Sequence, residues 1–487
     1  MFKYMVQREC TSIVDKFVGS ISIEYITISY NVNDRNEQDA RPMLYDPIQG
    51  GRTTKGPQYL ATVIVCLCAA AAGTGLSWTS PVLVQLQSSD STIIITKEQG
   101  TWIASNLAIG AIIGAVPSGI LADKIGRRST AILICFPYIA SWLMVIFAQS
   151  IQWLYYARIL IGIAVGGSCV VVPLFISEFA ETSIRGTLGT CFQLFLTIGI
   201  LFVFCAGAVV NWIQLSWMCL ILPLANLGGL FFIPESPIWL MKNDREQEAA
   251  SALKWFWGRF CNANNAIQVI KSEMETSSGS AGLRELFSVK ANRKGFLICV
   301  SLMFFQQFSG INAVIFFATQ IFESAGSNIA PSICSIIVGV VQVLMTFAAA
   351  ALVEKAGRKI LLLLSSTVMC LCLATLGVYF YLKDVLKYDV SNIGVIPLLS
   401  LVLMMMGEML SSDIKSIASS ITVEFNWIAV FIVTKTFEPA KDLYGSAPTF
   451  WFFAVIMFVG SVYGYFVLFE TKGKSETEIQ MRLSGEK

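Results

Sequence analysis

From Tyr59 almost to the last residues, the chain runs in apolar stretches of about helix length, punctuated by short polar segments. A bilayer core is about 30 Å thick and takes roughly 20 apolar residues per helix. A lipid-facing strand would need a two-residue alternation, which these continuous runs lack. The pattern predicts spans near 58–79, 101–122, 130–149, 152–176, 187–209 and 212–233, then near 295–322, 330–353, 359–382, 391–410, 415–434 and 448–469. The expected architecture is an all-α membrane protein of twelve transmembrane helices, in two six-helix halves at 58–233 and 295–470. A polar linker with short helices, 234–294, joins them. Within it, Asp244 to Phe260 predicts an amphipathic helix with Leu253 and Phe256 on one side. Polar tails occupy 1–57 and 471–487, and 1–57 has no apolar core followed by a small-residue cleavage site, so no cleavable signal peptide is expected.

The polar segments repeat. After the second span comes GILADKIGRR, with Asp123, Gly126, Arg127 and Arg128; the acid-x-x-Gly-Arg-basic core returns 231 residues later in ALVEKAGRK, with Glu354, Gly357 and Arg358. Glu178 and Arg185 in SEFAETSIRG match Glu408 and Lys415 in GEMLSSDIKS, and Glu235 in Pro-Glu-Ser matches Glu470 in Phe-Glu-Thr. Three ordered pairs imply a parallel duplication of six helices, an architecture of secondary transporters with a solute site between the halves. A single Gly-Arg-Arg turn would need no more explanation than a basic cytoplasmic loop, but the ordered set does. Gly126 and Gly357 permit tight turns, and the basic groups could pair with Glu178 and Glu408 in charge-assisted, bidentate bonds that latch the halves.

Lys and Arg gather in alternate loops: the N-terminal tail, the Lys124–Arg128 turn, the linker, the Lys355–Lys359 turn and the C-terminal tail. Basic loops favour the cytoplasm, so both termini are expected there. With 55% hydrophobic and 14% charged residues, the chain cannot keep a soluble surface wet. There is no histidine, which removes the usual catalytic base and the commonest zinc ligand. No nucleophile, base and oxyanion group stand together, so no enzyme activity, metal or cofactor is expected. Thirteen cysteines lie mostly singly in apolar runs, as Cys66, Cys169 and Cys299 do, and read as packing residues. A net charge of +2 selects no polyanion. The expected partners are a small solute and the lipid bilayer, with no nucleic acid and no obligate protein partner.

Several further motifs are specific: Arg158 with Gly162 and Gly166, PLFISE at 173–178, PESPIWL at 234–240, QQFSGINA at 306–313 and FETKG at 469–473. With the two turns, they make the chain resemble the sugar porter family of the major facilitator superfamily, over about 58–480. FNW at 425–427 and FIVTKTFE at 431–438 are most similar to insect facilitated trehalose transporters. The resemblance implies the major facilitator fold and sugar-contacting positions at Gln193, Gln306, Gln307, Asn312, Gln342 and Asn426, Gln342 standing where relatives usually have Asn. Amides suit a neutral sugar because they both donate and accept, and the Trp427 ring could lie against the sugar's C–H face. Amides also glue membrane helices together, which is the plainer reading of Gln193 or Gln342 alone. Ser309 and Gly310 predict a locally weakened helix beside the QQFSGIN cluster.

Between Tyr59 and Gln87 no residue is acidic, whereas proton-coupled relatives carry an aspartate there. The expected function is facilitative uniport of a neutral sugar, trehalose or a hexose such as glucose, across the plasma membrane. Glycine pairs Gly110–Gly114 and Gly162–Gly166 predict close helix packing. The family's Gly-Pro-x-Pro-Trp stretch is absent before Glu408, where LLSLVLMMMGE stands, so the tenth helix is expected to be shortened. Lys415 replaces the usual Arg, and Phe317 and Phe469 replace Tyr and Pro. These departures keep a second function open, that of a non-transporting sugar sensor or degenerate transporter paralogue.

Overall fold

A computed structural model describes residues 53–89, 91–276, 290–326, 329–390, 393–411 and 420–470, with 478, 481 and 482. Lys415 lies outside these residues, as do most of the two tails and the side chains of Glu354 and Glu408. The described residues are helical and turn structure, without strands. In the first half run α1 (Gly56–Ser77), α2 (Thr79–Leu86), α3 (Lys97–Ile125), α4 (Arg127–Ile146), α5 (Ile151–Phe179), α6 (Arg185–Gly207) and α7 (Trp212–Leu230). Three short helices follow, α8 (Pro237–Lys242), α9 (Glu246–Trp257) and α10 (Ala263–Thr276). The second half holds α11 (Lys290–Gln307), α12 (Ile311–Ala325), α13 (Pro331–Ala356), α14 (Arg358–Phe380), α15 (Ile396–Ser411), α16 (Ser420–Tyr444) and α17 (Ser446–Val467).

Ten helical segments among the described residues are long and apolar enough to cross a membrane, α1–α2 and α11–α12 each counting as one. Two more helices lie between α14 and α17. Helix α15 is apolar but shorter, and α16 carries Glu424, Lys435, Glu438, Lys441 and Asp442. Side chains in mid-helix face outward as bare hydrocarbon: Ile221, Leu344, Leu371 and Phe458 are each more than 60% exposed. Water would not support such a surface, and lipid does.

Local chemistry sets the helix ends. Thr96 and Gln99 form a reciprocal capping box that starts α3 at Lys97, four residues before the apolar run begins. Asn211 and Gln214 do the same for α7. The first span runs on to Leu86, past the predicted 79, because α2 continues it after a break at Trp78. The helix of the eleventh predicted span, 415–434, runs past its predicted end: it continues to Tyr444 even though its last two turns are charged. Apolar content marks where lipid begins and ends, not where the helical backbone stops. The linker helix stands where it was expected, as Glu246–Trp257, with Leu253 and Phe256 buried.

Helix α3 lies against α5 with backbones in contact. A Cβ added at Gly110 would stand 2.0 Å from the Ile159 carbonyl oxygen, and one at Gly162 would stand 2.1 Å from that of Leu107. The linker helices dock on the end of the first half that carries Arg127. Trp239 Nε1 donates to the Asp123 carbonyl at 2.8 Å, Trp257 Nε1 donates to that of Phe179 at 3.0 Å, and Phe256 stacks on Phe179. The cysteines among the described residues are free thiols. Gly110→Ala should lower the thermal midpoint of the detergent-solubilised protein, a cost on the order of 1–3 kcal/mol for overpacking. Gly186→Ala, where a Cβ meets nothing within 4 Å, should leave it nearly unchanged in the same fluorescence size-exclusion assay.

Candidate functional site

The seventh span breaks where Ser309 and Gly310 interrupt it. Helix α11 ends at Gln307, Gly310 takes a left-handed φ of +80°, and α12 starts at Ile311. A second distortion follows at Phe317, whose φ of −123° and ψ of 19° leave the helical region. The break brings three amides from three helices together. Gln307 Nε2 donates to Asn426 Oδ1 of α16 at 2.5 Å, and Asn312 Nδ2 donates to Gln307 Oε1. Gln307 is only 3% exposed, so this chain of donors and acceptors sits in a dry environment where each bond matters.

Two other expected site residues hold polar atoms with no partner among the described residues. Gln342 Oε1 and Trp427 Nε1 are buried, one an acceptor and the other a donor. Gln342 lies one turn beyond Gly339, where α13 packs on Leu201 and Phe204 of α6, the helix that also carries Gln193. Gln306 precedes the break, and its carbonyl accepts from Ser309 Oγ at 2.6 Å. The direct hydrogen-bond chain therefore contains Gln307, Asn312 and Asn426, with Trp427 next in sequence, while Gln193 and Gln342 stand on a pair of crossing helices.

The first span breaks too, at Trp78, and a guanidinium supports the break. Arg158 is 1% exposed; its Nη1 donates to the Gly75 carbonyl at 2.7 Å and its Nε to that of Ile103 at 3.0 Å. It also lies over the Trp78 ring at 5.7 Å, and Trp78 Nε1 donates to Ser216 Oγ. Arg158 thus ties α1, α3 and α5 together. Sequence reasoning singled out its motif but gave it no task; an arginine in mid-span is itself the signal, because an unpaired one is too costly there.

At the Arg127 end, the duplicated turns share a positive-φ glycine and a returning carboxylate, which caps one residue later in the first half than in the second. Gly126 has φ of +104°, and Glu235 accepts from the backbone N–H groups of Arg128 at 2.9 Å and Ser129 at 3.3 Å. Gly357 has φ of +87°, and Glu470 accepts from those of Arg358 at 3.0 Å and Lys359 at 3.1 Å. Each carboxylate caps a helix N-terminus, where exposed N–H groups and the dipole favour negative charge. A Cβ at either glycine would strike that carboxylate. Arg127 Nη2 meets both Asp123 at 3.0 Å and Glu178 at 2.7 Å, while its Nη1 donates to the Ala122 carbonyl. The pairing runs through one nitrogen and is not the bidentate fork expected. Glu178 also accepts from Ser236 Oγ, and Arg185 donates to the Ala180 carbonyl. These contacts tie helices within the first half, and those of Glu470 do so within the second, so each cluster braces its own half.

Contacts between the halves gather at the opposite end. Thr79 Oγ1 donates to the Phe316 carbonyl at 3.2 Å, Ser80 and Thr319 share a bond of 3.0 Å, and Gln320 Nε2 donates to Gln87 Oε1 at 3.1 Å. Lys97 pairs with Asp442 at 3.5 Å, and Lys435 reaches Thr101 and Trp102. Outside this seal lies a cavity of about 340 Å³ lined by Gln87, Lys97, Gln320, Glu323, Lys441 and Asp442 among others. Sequence reasoning passed over these hydroxyls and amides, since Ser, Thr and Gln at helix ends carry no local signature.

A family model described as "Sugar (and other) transporter" matches residues 77–483. The chain belongs to this sugar transporter family. It is a multi-pass membrane protein with the fold of its family, which is one of transporters and not of enzymes. The transporter is 37% identical over 457 residues to the facilitated trehalose transporter Tret1 of Polypedilum vanderplanki, covering 89% of this chain and 90% of the relative. It is 35% identical to Tret1 of Anopheles gambiae over 95% of its own length, spanning 62% of that longer protein. Among solved structures, the xylose transporter XylE from E. coli in a partially occluded inward open conformation superposes with a TM-score of 0.73, at 23% identity, over 86% of this chain and 99% of the other. At that identity the likeness bears on the fold alone.

The Arg127–Glu178 pair, with side chains 2% and 7% exposed, differs in kind from Arg245–Glu248, at 47% and 58%. Glu178→Ala should lower the stability of the sugar transporter by up to about 3 kcal/mol, since it leaves the buried guanidinium with only the exposed carboxylate of Asp123. Glu248→Ala should cost under about 1 kcal/mol. Thermal midpoints of the two variants in one detergent would make the comparison.

Proposed function

We propose that the protein is a facilitative carrier of a neutral sugar, trehalose or a hexose such as glucose, in the plasma membrane. It crosses twelve times, with helices α15 and α16 as its tenth and eleventh spans and both termini cytoplasmic. The halves, 58–233 and 295–470, rock about a central site, and the linker 234–294 stays with the cytoplasmic face. The observation that carries this reading is the Asn312–Gln307–Asn426 amide chain at a helix break. Gln342 Oε1 and Trp427 Nε1 supply an unanswered acceptor and donor. A sugar hydroxyl both donates and accepts, so it can replace one amide in such a chain without leaving another unpaired. The trehalose transporters among the relatives support the disaccharide, and hexoses share the same chemistry.

Site residues are Gln193, Gln306, Gln307, Asn312, Gln342, Asn426 and Trp427. In the cytoplasmic gate, Asp123, Gly126, Arg127, Arg128, Glu178, Arg185 and Glu235 brace the first half. Gly357, Arg358 and Glu470 brace the second, and Glu354, Glu408 and Lys415 are assigned to the same gate. Flux follows the sugar gradient alone, in keeping with a first span free of acidic residues. One embedded carboxylate, Glu424, sits on α16 against the Val116 backbone, two positions from Asn426 and so on the other side of its helix.

In proteoliposomes, labelled trehalose or glucose should exchange faster than in empty vesicles, and a protonophore should leave the rate unchanged. Protonophore-sensitive accumulation would point to Glu424 and overturn the uniport reading. Gln307→Leu and Asn426→Leu should each reduce flux about tenfold or more, the loss expected when one or two ligand hydrogen bonds disappear. Binding of sugar by the folded protein without flux would favour the non-transporting sensor, a reading that the missing Gly-Pro-x-Pro-Trp stretch keeps in view.

A further inference from the structure

Lysine is costly inside a membrane helix and marks function by default. Lys435 lies in α16, two turns before the charged end of that helix, and its side chain is half-buried against α3 of the other half. Its Nζ donates to Thr101 Oγ1 at 3.0 Å and stands 3.9 Å from the centre of the Trp102 ring. Thr101 Oγ1 passes its own proton to the Glu98 carbonyl at 2.8 Å, so its lone pair is free to take the lysine. Glu98 adds an attractive charge one turn away. On the lysine's own helix the nearest carboxylate, Glu438, is held by Lys441 at 2.8 Å. The ammonium is thus directed across the seam between the halves.

The other contacts of this seal are weaker candidates for setting its strength. Lys97–Asp442 is long and exposed, with side chains at 72% and 57%, and such pairs contribute little. Ser80–Thr319 and Gln87–Gln320 join neutral groups, whose bonds water replaces at small cost when the seal opens. The Lys435 ammonium, by contrast, is charged and half-buried and makes two contacts across the seam, and a cation–indole contact strengthens where water is partly excluded.

We propose that Lys435, clasped by Trp102 and Thr101, is the positioning residue that holds the outer end of the carrier shut and so sets the balance between its two access states. The proposal rests on the alternating-access reading above. Asn312 lies two turns behind the seal on α12, so a thiol placed there reports opening from outside.

The full-length chain carrying Asn312→Cys would be expressed in cells, treated externally with a membrane-impermeant maleimide, and scored at position 312 by peptide mass spectrometry, which separates it from the native thiols. Adding Lys435→Met should raise the labelling rate about tenfold. Lys435→Arg should stay near the parent, and Trp102→Leu, which leaves the Thr101 bond in place, should give a smaller rise than Lys435→Met. The double variant should match Lys435→Met, which already removes both contacts. Trp102→Phe, a milder change that keeps a ring, should give an intermediate rise and serves if the others fail to reach the surface. Unchanged or slower labelling in Lys435→Met or Trp102→Phe at normal surface levels would overturn the clasp. Labelling needs no sugar, so clasp-dependent labelling together with absent sugar flux in the parent protein, where Asn312 is intact, would sink the transport reading alone.

Discussion

A backbone carbonyl or N–H released from its helix inside a bilayer has no water to turn to, and the protein must supply its partner. That constraint organises the interior of this chain. The first span breaks at Trp78, and Arg158 reaches from α5 to hold the Gly75 carbonyl. The seventh span breaks at Gly310, and there Ser309 Oγ donates to the Gln306 carbonyl and accepts from the Ile311 N–H. Breaks are where a solute can meet backbone and polar side chains together, so the need to satisfy them and the ability to bind have one structural origin. The two halves meet this need with different chemistry: a fixed charge in the first, a hydroxyl in the second.

The same economy appears at the Arg127 end. A sharp turn between two spans leaves the next helix with unpaired N–H groups, and a distant carboxylate, Glu235 or Glu470, returns to cover them. Glycine is required at each turn for its positive φ and for the room the carboxylate takes. The duplication is clearer in these two caps, though they stand one residue out of register with each other, than in the spans, because a cap admits few residue types and an apolar run admits many.

Much of this was legible in the sequence for a physical reason: a bilayer imposes length and apolarity on every span. The repeat of Gly126 and Gly357 announced two halves, and Ser309–Gly310 announced the broken helix. What stayed hidden depended on pairing across space. Arg127 and Glu178 were seen as a latch between halves, yet the described contacts brace one half, and nothing local distinguishes those outcomes. Trp102 and Lys435 are 333 positions apart in sequence, and only the antiparallel course of α3 against α16 sets the ring beneath the ammonium. The end of α16 was misjudged because hydropathy reports lipid contact, while Lys435 to Asp442 remain helical against a polar seam.

The glycine contacts are distributed unevenly, and this bears on how the molecule can change over generations. In the first half, Gly73, Gly110, Gly114, Gly162, Gly166 and Gly199 each meet the backbone of a neighbouring helix. In the second, Gly377, Gly460 and Gly464 meet the side chains of Trp451, Phe305 and Leu362. A backbone contact has no compliance, whereas a side chain can choose another rotamer. At these six positions the first half is therefore a stiff frame in which an added methyl group has nowhere to go. The second is a forgiving one, in which selectivity can be retuned by ordinary substitutions without dismantling the machine that houses it.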